Sequence, residues 1–185
     1  IQLRGNSEVI DFFIQWLNMN QIEIHQITVT QNHKHIVKKY FPNPIMEFSM
    51  KRMVLYKGNE HILEKYPYIQ LNEQDREEIA AFLQKADPKY WGHRKAADIL
   101  IDNNHPYFAV KKNDTIISIA GLWIDNLMGI INLIATDPDY RRKGYATSMV
   151  SSGIHWLFER TDKILIHVRS ENLPAIHTYE KVGYR

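Results

Sequence analysis

The sequence predicts a mixed α/β fold, classed α+β: a central mixed sheet flanked by helices, with a helix-strand-helix-strand extension in front. Three observations carry this. Apolar residues recur at helical spacing in some stretches and alternate in others. From about residue 66 onward the alternating stretches are separated by helical ones, as in a mixed sheet with helices on its faces. Turn residues mark most changes of period.

The elements follow in order. Asn6-Ser7 reads as a cap, and Val9, Phe12, Phe13, Trp16 and Leu17 follow at helical spacing. Ile22 to Val29 alternates like a half-buried strand. A short helix is expected from Asn32 to Tyr40, stopping before Pro42. Ile45 to Leu55 alternates again, with Met46, Phe48, Met50 and Met53 as candidate inward positions. The extension is placed at residues 1–60, with Lys57 to Glu60 as a linker, and the main domain at 66–185. There, Tyr68 to Leu71 is a short strand, and Asn72 with Asp75 forms a near capping box for a helix carrying Ile79, Phe82 and Leu83. A second helix is expected from His93 to Ile101. Strands follow at Tyr107–Lys111 and Thr115–Ile124, joined by a turn at Asn113-Asp114, and then at Ile130–Thr136. A helix runs from Gly144 to about Arg160, a strand from Ile164 to Val168, and a last helix from Leu173 to Val182, entered by Asn172 and left at Gly183.

Composition narrows the class. The chain has 185 residues, 44% hydrophobic and 24% charged, with a formal net charge of +2. It is too apolar for a disordered tail and long enough to bury a core. The charge is too balanced for a whole-protein grip on nucleic acid or a membrane, so neither is expected as a partner. Cys is absent, which excludes disulfides, a thiolate zinc site and a cysteine nucleophile, and fits a cytoplasmic protein. No metal site is expected: His33 and His35 lack further plausible ligands.

A faint repeat is also present. Asn32 lies as far after Trp16 as Asn172 does after Trp156, with an alternating strand between in both cases. Residues 7–42 thus read either as a worn copy of 147–184 or as a chance likeness. If the copy is real it should be catalytically silent, because Lys39 stands where the second copy has Tyr179.

The chemistry concentrates in Ile134 to Thr147. A buried strand, Ile134-Ala135-Thr136, ends at Asp137-Pro138, and a basic loop, Arg141-Arg142-Lys143-Gly144, opens a helix with Tyr145-Ala146-Thr147. The first N–H groups of a helix have no partner inside it, and its dipole adds positive potential there. With Gly144 and Ala146 allowing close approach and three cations beside them, the segment suits a pyrophosphate. It is neither a P-loop nor a dinucleotide fingerprint. Taken alone it would equally describe a solvated basic turn. The next block, Asn172-x-x-Ala175-x-x-x-Tyr179-x-x-x-Gly183-Tyr184, places Ala175 and Tyr179 on one helix face, a slot with one polar group at its end.

These two blocks closely resemble the GNAT superfamily of acyl-CoA-dependent N-acetyltransferases. Arg141-x-x-Gly144-x-Ala146 matches the family's nucleotide loop, and every fixed position of the Asn-to-Tyr block is present. The resemblance covers about residues 66–185, with the family's closing strands missing after Gly183. It implies acetyl-CoA as acyl donor and a primary amine of a small molecule or peptide as acceptor, attacking the thioester directly. It also implies residue roles. The backbone of Ile134, Ala135 and Thr136 would hold the pantetheine arm, the loop from Arg141 to Thr147 the pyrophosphate, and Asn172 the cofactor arm. Tyr179 would protonate the leaving thiolate. His167 stands where some relatives have a Glu base, and an imidazole with a pKa near ~6.5 suits that task; a structural His is the alternative, with Asp125 and Glu171 as reserve carboxylates. Tyr90 to Arg94 reads as an acceptor wall or as a packing anchor, and Arg94 would suit an acceptor carboxylate. A non-catalytic CoA-binding or interaction module with the same fold is the alternative function, and a homodimer is left open.

Overall fold

Asn6 caps the first helix as expected, its side-chain oxygen accepting the Val9 N–H at 2.9 Å. The computed structural model describes residues 3, 5–22, 24, 27–44 and 47–185, in two compact units, 1–48 and 49–185. In the first unit, α1 (Ser7–Met19) is followed by a 3-10 turn (Gln31–His33) and α2 (Lys34–Tyr40). The buried stripe of α1 is Ile10, Ile14 and Leu17, and the first two pack against Ile36 of α2. Of the apolar residues at helical spacing, Leu17 is buried and Val9, Phe12, Phe13 and Trp16 are exposed. Of the expected strand at 22–29, residues 23, 25 and 26 lie outside the described residues. Among the described ones only Thr28 is bridged, its carbonyl accepting the Leu3 N–H at 2.9 Å.

The second unit is built on one six-stranded sheet in the order β1-β6-β5-β4-β3-β2. Its strands are β1 (Met50–Tyr56), β2 (Ile69–Leu71), β3 (Tyr107–Lys112), β4 (Thr115–Ile124), β5 (Gly129–Thr136) and β6 (Lys163–Arg169). β5 and β6 are parallel, and every other neighbouring pair is antiparallel. The β3–β4 turn is tight because Asn113 and Asp114 both take positive φ, 49° and 59°, residue types that tolerate the left-handed region.

Helices cover both faces. On one, α5 (Tyr145–Phe158) and α6 (Leu173–Lys181) bury Met149, Val150, Ile154, Leu157, Ile176 and Tyr179 against Met53, Leu55, Ile164, Ile166 and Val168. On the other, α3 (Arg76–Ala86) buries Ile79, Phe82 and Leu83 against Tyr107, Ala109, Ile119, Leu133 and Ala135. The capping box at Asn72 and Asp75 is present, opening the 3-10 turn that leads into α3.

Two expectations need correction here. No helix spans 93–101. Asp87 and Pro88 start a short α4 (Pro88–Trp91) instead, Gly92 ends it, and only a 3-10 turn at Ala96–Asp98 follows. Ile99 and Ile101 are both buried, and a two-residue interval is extended-chain spacing, not helical. The strand expected from Ile45 begins at Met50; residues 45 and 46 lie outside the described residues. Met53, one of the expected inward positions, is buried together with Leu55, while Met50 is exposed. This strand pairs along its whole length with β6, from Met50↔Arg169 to Tyr56↔Lys163. On its other side Val54 and Arg185 exchange both backbone hydrogen bonds, at 2.9 and 3.0 Å. No helix of the described residues is long and apolar enough to cross a membrane.

Candidate active site

The site begins with a break in the sheet. β5 runs to Thr136 and pairs with β4 as far as Ser118↔Thr136, but it pairs with β6 only through Ile131↔Ile166. Beyond that point the two parallel strands diverge, leaving the β6-facing backbone of 132–136 without a partner strand. A β-bulge causes the change. Leu122 pairs with Ile131 and Gly121 with Leu133, so Asn132 is the extra residue. It also switches faces: Ile131 packs on the α5/α6 side, whereas Leu133 and Ala135 pack on the α3 side. Ile134 and Thr136 are thereby turned toward α5 and α6. The Thr136 hydroxyl is 2.9 Å from that of Ser118, which is fully buried.

The basic loop lies past the end of β5. Arg142 takes φ 64° and Gly144 φ 91°, and nothing lies within 4 Å of where a Gly144 Cβ would stand. The first helical bond of α5 is Ser148 N–H to the Gly144 carbonyl, at 3.0 Å. Among the described residues, no hydrogen-bond acceptor serves the N–H groups from Arg142 to Thr147. These donors sit at the positive end of a helix with open space in front, so the loop fits a pyrophosphate.

The three cations divide. Arg141 is tied to the scaffold, donating to the carbonyls of Ala86 at 2.7 Å and Thr136 at 3.3 Å. Lys143 donates to the Asp139 carbonyl at 3.0 Å and lies over the Tyr140 ring. The Arg142 side chain is exposed. Arg141 therefore fixes the loop against the end of α3, a role its position in the motif does not suggest. Lys85 helps there, pairing with the nearly buried Asp137 at 2.7 Å and holding that carboxyl below its usual range.

A strap before β2 steadies the loop from the other side. Ser148 Oγ accepts the N–H groups of Lys65 and Tyr66 at 3.0 and 3.1 Å, and Ser151 Oγ accepts that of Leu63 at 2.9 Å. The Tyr66 ring stacks on Tyr145 at 4.0 Å, and its hydroxyl donates to the Lys143 carbonyl at 2.7 Å. In a trans peptide the C=O and the following N–H point in opposite directions. Holding the Lys143 carbonyl toward the strap therefore aims the Gly144 N–H away from it, into the cradle. Sequence reading missed Tyr66 because it belongs to no motif.

Asn172 caps α6, its Oδ1 accepting the Ala175 N–H at 3.2 Å. Tyr179 follows on that helix, its ring 7% exposed and facing the α5 side of the sheet. Burial pushes its phenol up to about 12. Tyr184 stands 6.1 Å away, edge to face, with a fully buried hydroxyl that has no partner among the described residues, and burial likewise raises it well above the ordinary value. Folding thus favours the protonated form of both, so their contribution to stability is complete below pH ~10 and is lost as pH rises toward the folded values. For Tyr179 a rise from about 10 to about 12 corresponds to roughly 3 kcal/mol. Urea unfolding should accordingly show stability falling between about pH 10 and 12, less steeply in Tyr179→Phe.

His167 does not join Tyr179. Ile166 and Val168 face α5 and α6, so His167 points from the opposite face of β6. It is the first β6 residue beyond the last β5 pair, at the mouth of the divergence. Arg52 of β1, its cross-strand partner, donates from Nε to His167 Nε2 at 2.9 Å. That nitrogen is an acceptor here, so the ring carries its proton on Nδ1 and is neutral in this arrangement. Of the reserve carboxylates, Asp125 lies in the β4–β5 turn, accepting the N–H groups of Leu127 and Met128, at the other end of β5 from the loop. Glu171 lies in the turn before α6. Among the described residues no His, Asp or Glu group could hold a metal ion.

The acetyltransferase (GNAT) family model matches residues 64–184, and the chain belongs to this family. A mycothiol acetyltransferase of Tsukamurella paurometabola is 31% identical over 58 residues, 31% of this chain. That stretch spans 20% of the relative's length. Among solved structures, a GNAT-family putative acetyltransferase of Novosphingobium aromaticivorans aligns with TM-score 0.60 at 21% identity, over 74% of this chain and 58% of that one. An aminoglycoside N-acetyltransferase solved with CoA aligns with TM-score 0.51 at 15% identity, over 64% and 91%. At these identities the solved structures show the shared fold.

Proposed function

We propose that this chain carries the acyl-transfer site of an N-acetyltransferase that moves an acetyl group from acetyl-CoA to a primary amine by direct attack. One observation supports this above all: β5 and β6 part beside a helix start with unpaired amides, giving an extended slot and an anion cradle that share one strand end. Acetyl-CoA would supply the activated thioester. The backbone of Ile134, Ala135 and Thr136 holds the pantetheine arm, the amides of Arg142 to Thr147 hold the pyrophosphate, and Asn172 orients the entry of α6 beside the arm. Arg141 and Tyr66 position the loop.

Tyr179 keeps its proton at neutral pH and gives it to the sulfur as the carbon–sulfur bond breaks. A free backbone N–H of β5 past the bulge stabilises charge on the acetyl oxygen. His167 takes the proton that the attacking ammonium must lose; its Nε2 first exchanges Arg52 for the substrate or a bridging water.

The test is calorimetric titration with acetyl-CoA, followed by thiol release on an amine panel. Micromolar binding with turnover supports the proposal; binding without turnover on any amine leaves the non-catalytic module, and no binding removes both. Tyr66→Phe isolates the cradle. It should weaken CoA about tenfold while binding of a pantetheine fragment without the pyrophosphate stays within twofold, because only the former uses the Gly144 amide.

A further inference from the structure

The bulge and the divergence lie on one line across the sheet. Tyr107 pairs with Gly121, Gly121 with Leu133 beside Asn132, and His167 with Arg52. His167 follows the last β5–β6 pair, so this row crosses the sheet where the two strands part. The side chains share the α3 face. A Cβ on Gly121 would meet the Tyr107 ring at 2.9 Å and Asn132 Oδ1 at 3.0 Å, so those two groups flank a glycine that must stay bare. Arg52 and His167 carry the row to the far edge. The opposite face at this level packs against α5 and α6, which leaves the α3 face as the approach for an acceptor.

Charge on this face is unbalanced. Asp87 accepts from Arg169 at 3.3 Å, and that guanidinium lies over the Tyr90 ring, so Asp87 is already paired. Arg94 sits over Trp91, 5.6 Å from the ring, and its Nε is buried with no hydrogen-bond partner among the described residues. Its positive charge acts on the buried Tyr107 phenol, against the upward push of burial. Arg52 uses Nε on His167, and among the described residues no acceptor serves its terminal nitrogens. No carboxylate of the described residues pairs with Arg94, and a partly buried guanidinium left without a counter-charge favours an anionic ligand at its terminal nitrogens. A planar fork stacked on an indole is pre-arranged for a carboxylate or phosphate.

Resting on the acetyl-transfer reading, we propose that the acceptor amine carries an anionic group, a carboxylate or a phosphate, which Arg94 holds above the Tyr107–Asn132 end of this row, with Arg52 adding positive potential at the other end. The amine is thereby presented at the mouth of the strand divergence, within reach of His167.

The experiment pairs acceptors of equal length: β-alanine against β-alaninamide, and phosphoethanolamine against ethanolamine, the two pairs separating carboxylate from phosphate. The anionic member of at least one pair should show kcat/KM tenfold or more above its neutral partner. Arg94→Gln should abolish that preference while leaving acetyl-CoA affinity and rates with neutral amines within about twofold. Arg52→Gln, at an exposed position, should reduce it by a smaller factor. A readout without turnover runs alongside: N-acetyl-β-alanine against N-acetyl-β-alaninamide, and O-phospho-N-acetylethanolamine against N-acetylethanolamine, followed through Trp91 amide and indole NMR shifts. Selective binding of an anionic product, lost in Arg94→Gln, supports the site even if turnover is not found. Neutral acceptors and products preferred or equal, or a preference untouched by both variants, would overturn it. Absence of acetyl-CoA binding with anionic products still selected would overturn only the acetyl-transfer reading.

Discussion

Tyr179→Phe should lower kcat about 100-fold while leaving the dissociation constant of acetyl-CoA within twofold. The split follows from where the phenol acts. Its hydroxyl has no hydrogen bond to the described residues, so it contributes nothing that binding in the ground state would lose. Its proton matters only while negative charge grows on sulfur. A phenol near 12 is a weaker acid than a free tyrosine, but the same apolar surroundings would also raise the basicity of a thiolate forming beside it. What governs transfer is the difference between the two, and burial moves both upward. Because the phenol titrates far above neutrality, the loss in the Phe variant should be the same at pH 6 and pH 9. The variant should also melt no lower than the parent, since Phe fills the ring's place without an unpaired hydroxyl. A fall in kcat of less than threefold, or a fall matched by weaker cofactor binding, would leave Tyr179 as a packing residue.

How much of this could be read from the chain depends on how local each feature is. The turn at Asn113-Asp114, the Asn72 box, the start of α5 at Gly144 and the Asn172 cap are set by a few adjacent residues, and all stand where the sequence put them. The divergence of β5 and β6 was not legible, because it rests on a bulge at Asn132 that exists only relative to the register of β4. Arg141 reads as a phosphate cation from its neighbours, but its partners at Ala86 and Thr136 are set by where α3 ends in space. His167 was found by position in a motif, yet no motif says which face of a strand a residue occupies. That requires knowing that Ile166 and Val168 face α5 and α6. The exposure of Phe12 and Trp16 in α1 is not legible for a similar reason: two apolar stripes share that helix, and packing against Ile36 selects between them.

The edge of the sheet gives the largest stability effect. A chain starting at residue 49 should fold cooperatively and bind acetyl-CoA, whereas one starting at residue 57 should be insoluble or molten. The difference is β1 alone, which lies before the first residue that the family model matches. Met53 and Leu55 are essentially fully buried against Ile164, Ile166, Val168 and Val182. Removing large apolar side chains from such positions costs about 2–5 kcal/mol each, and two of them approach the 5–15 kcal/mol that holds a typical domain together. Deletion also strips β6 of its partner from Lys163 to Arg169, leaving a bare apolar edge of the kind that drives aggregation. A point variant separates these contributions: Leu55→Ala keeps the backbone ladder and loses only packing, so it should fold with stability lowered by about 3 kcal/mol and unchanged solubility. β1 also brings Arg52 beside His167, so it supplies one end of the proposed acceptor row. If the shorter chain melted at the same temperature as the longer one, β1 would be an ornament on a sheet already complete. The pairing of seven residues with β6 and the burial of two large side chains argue that it is a structural strand of the catalytic unit.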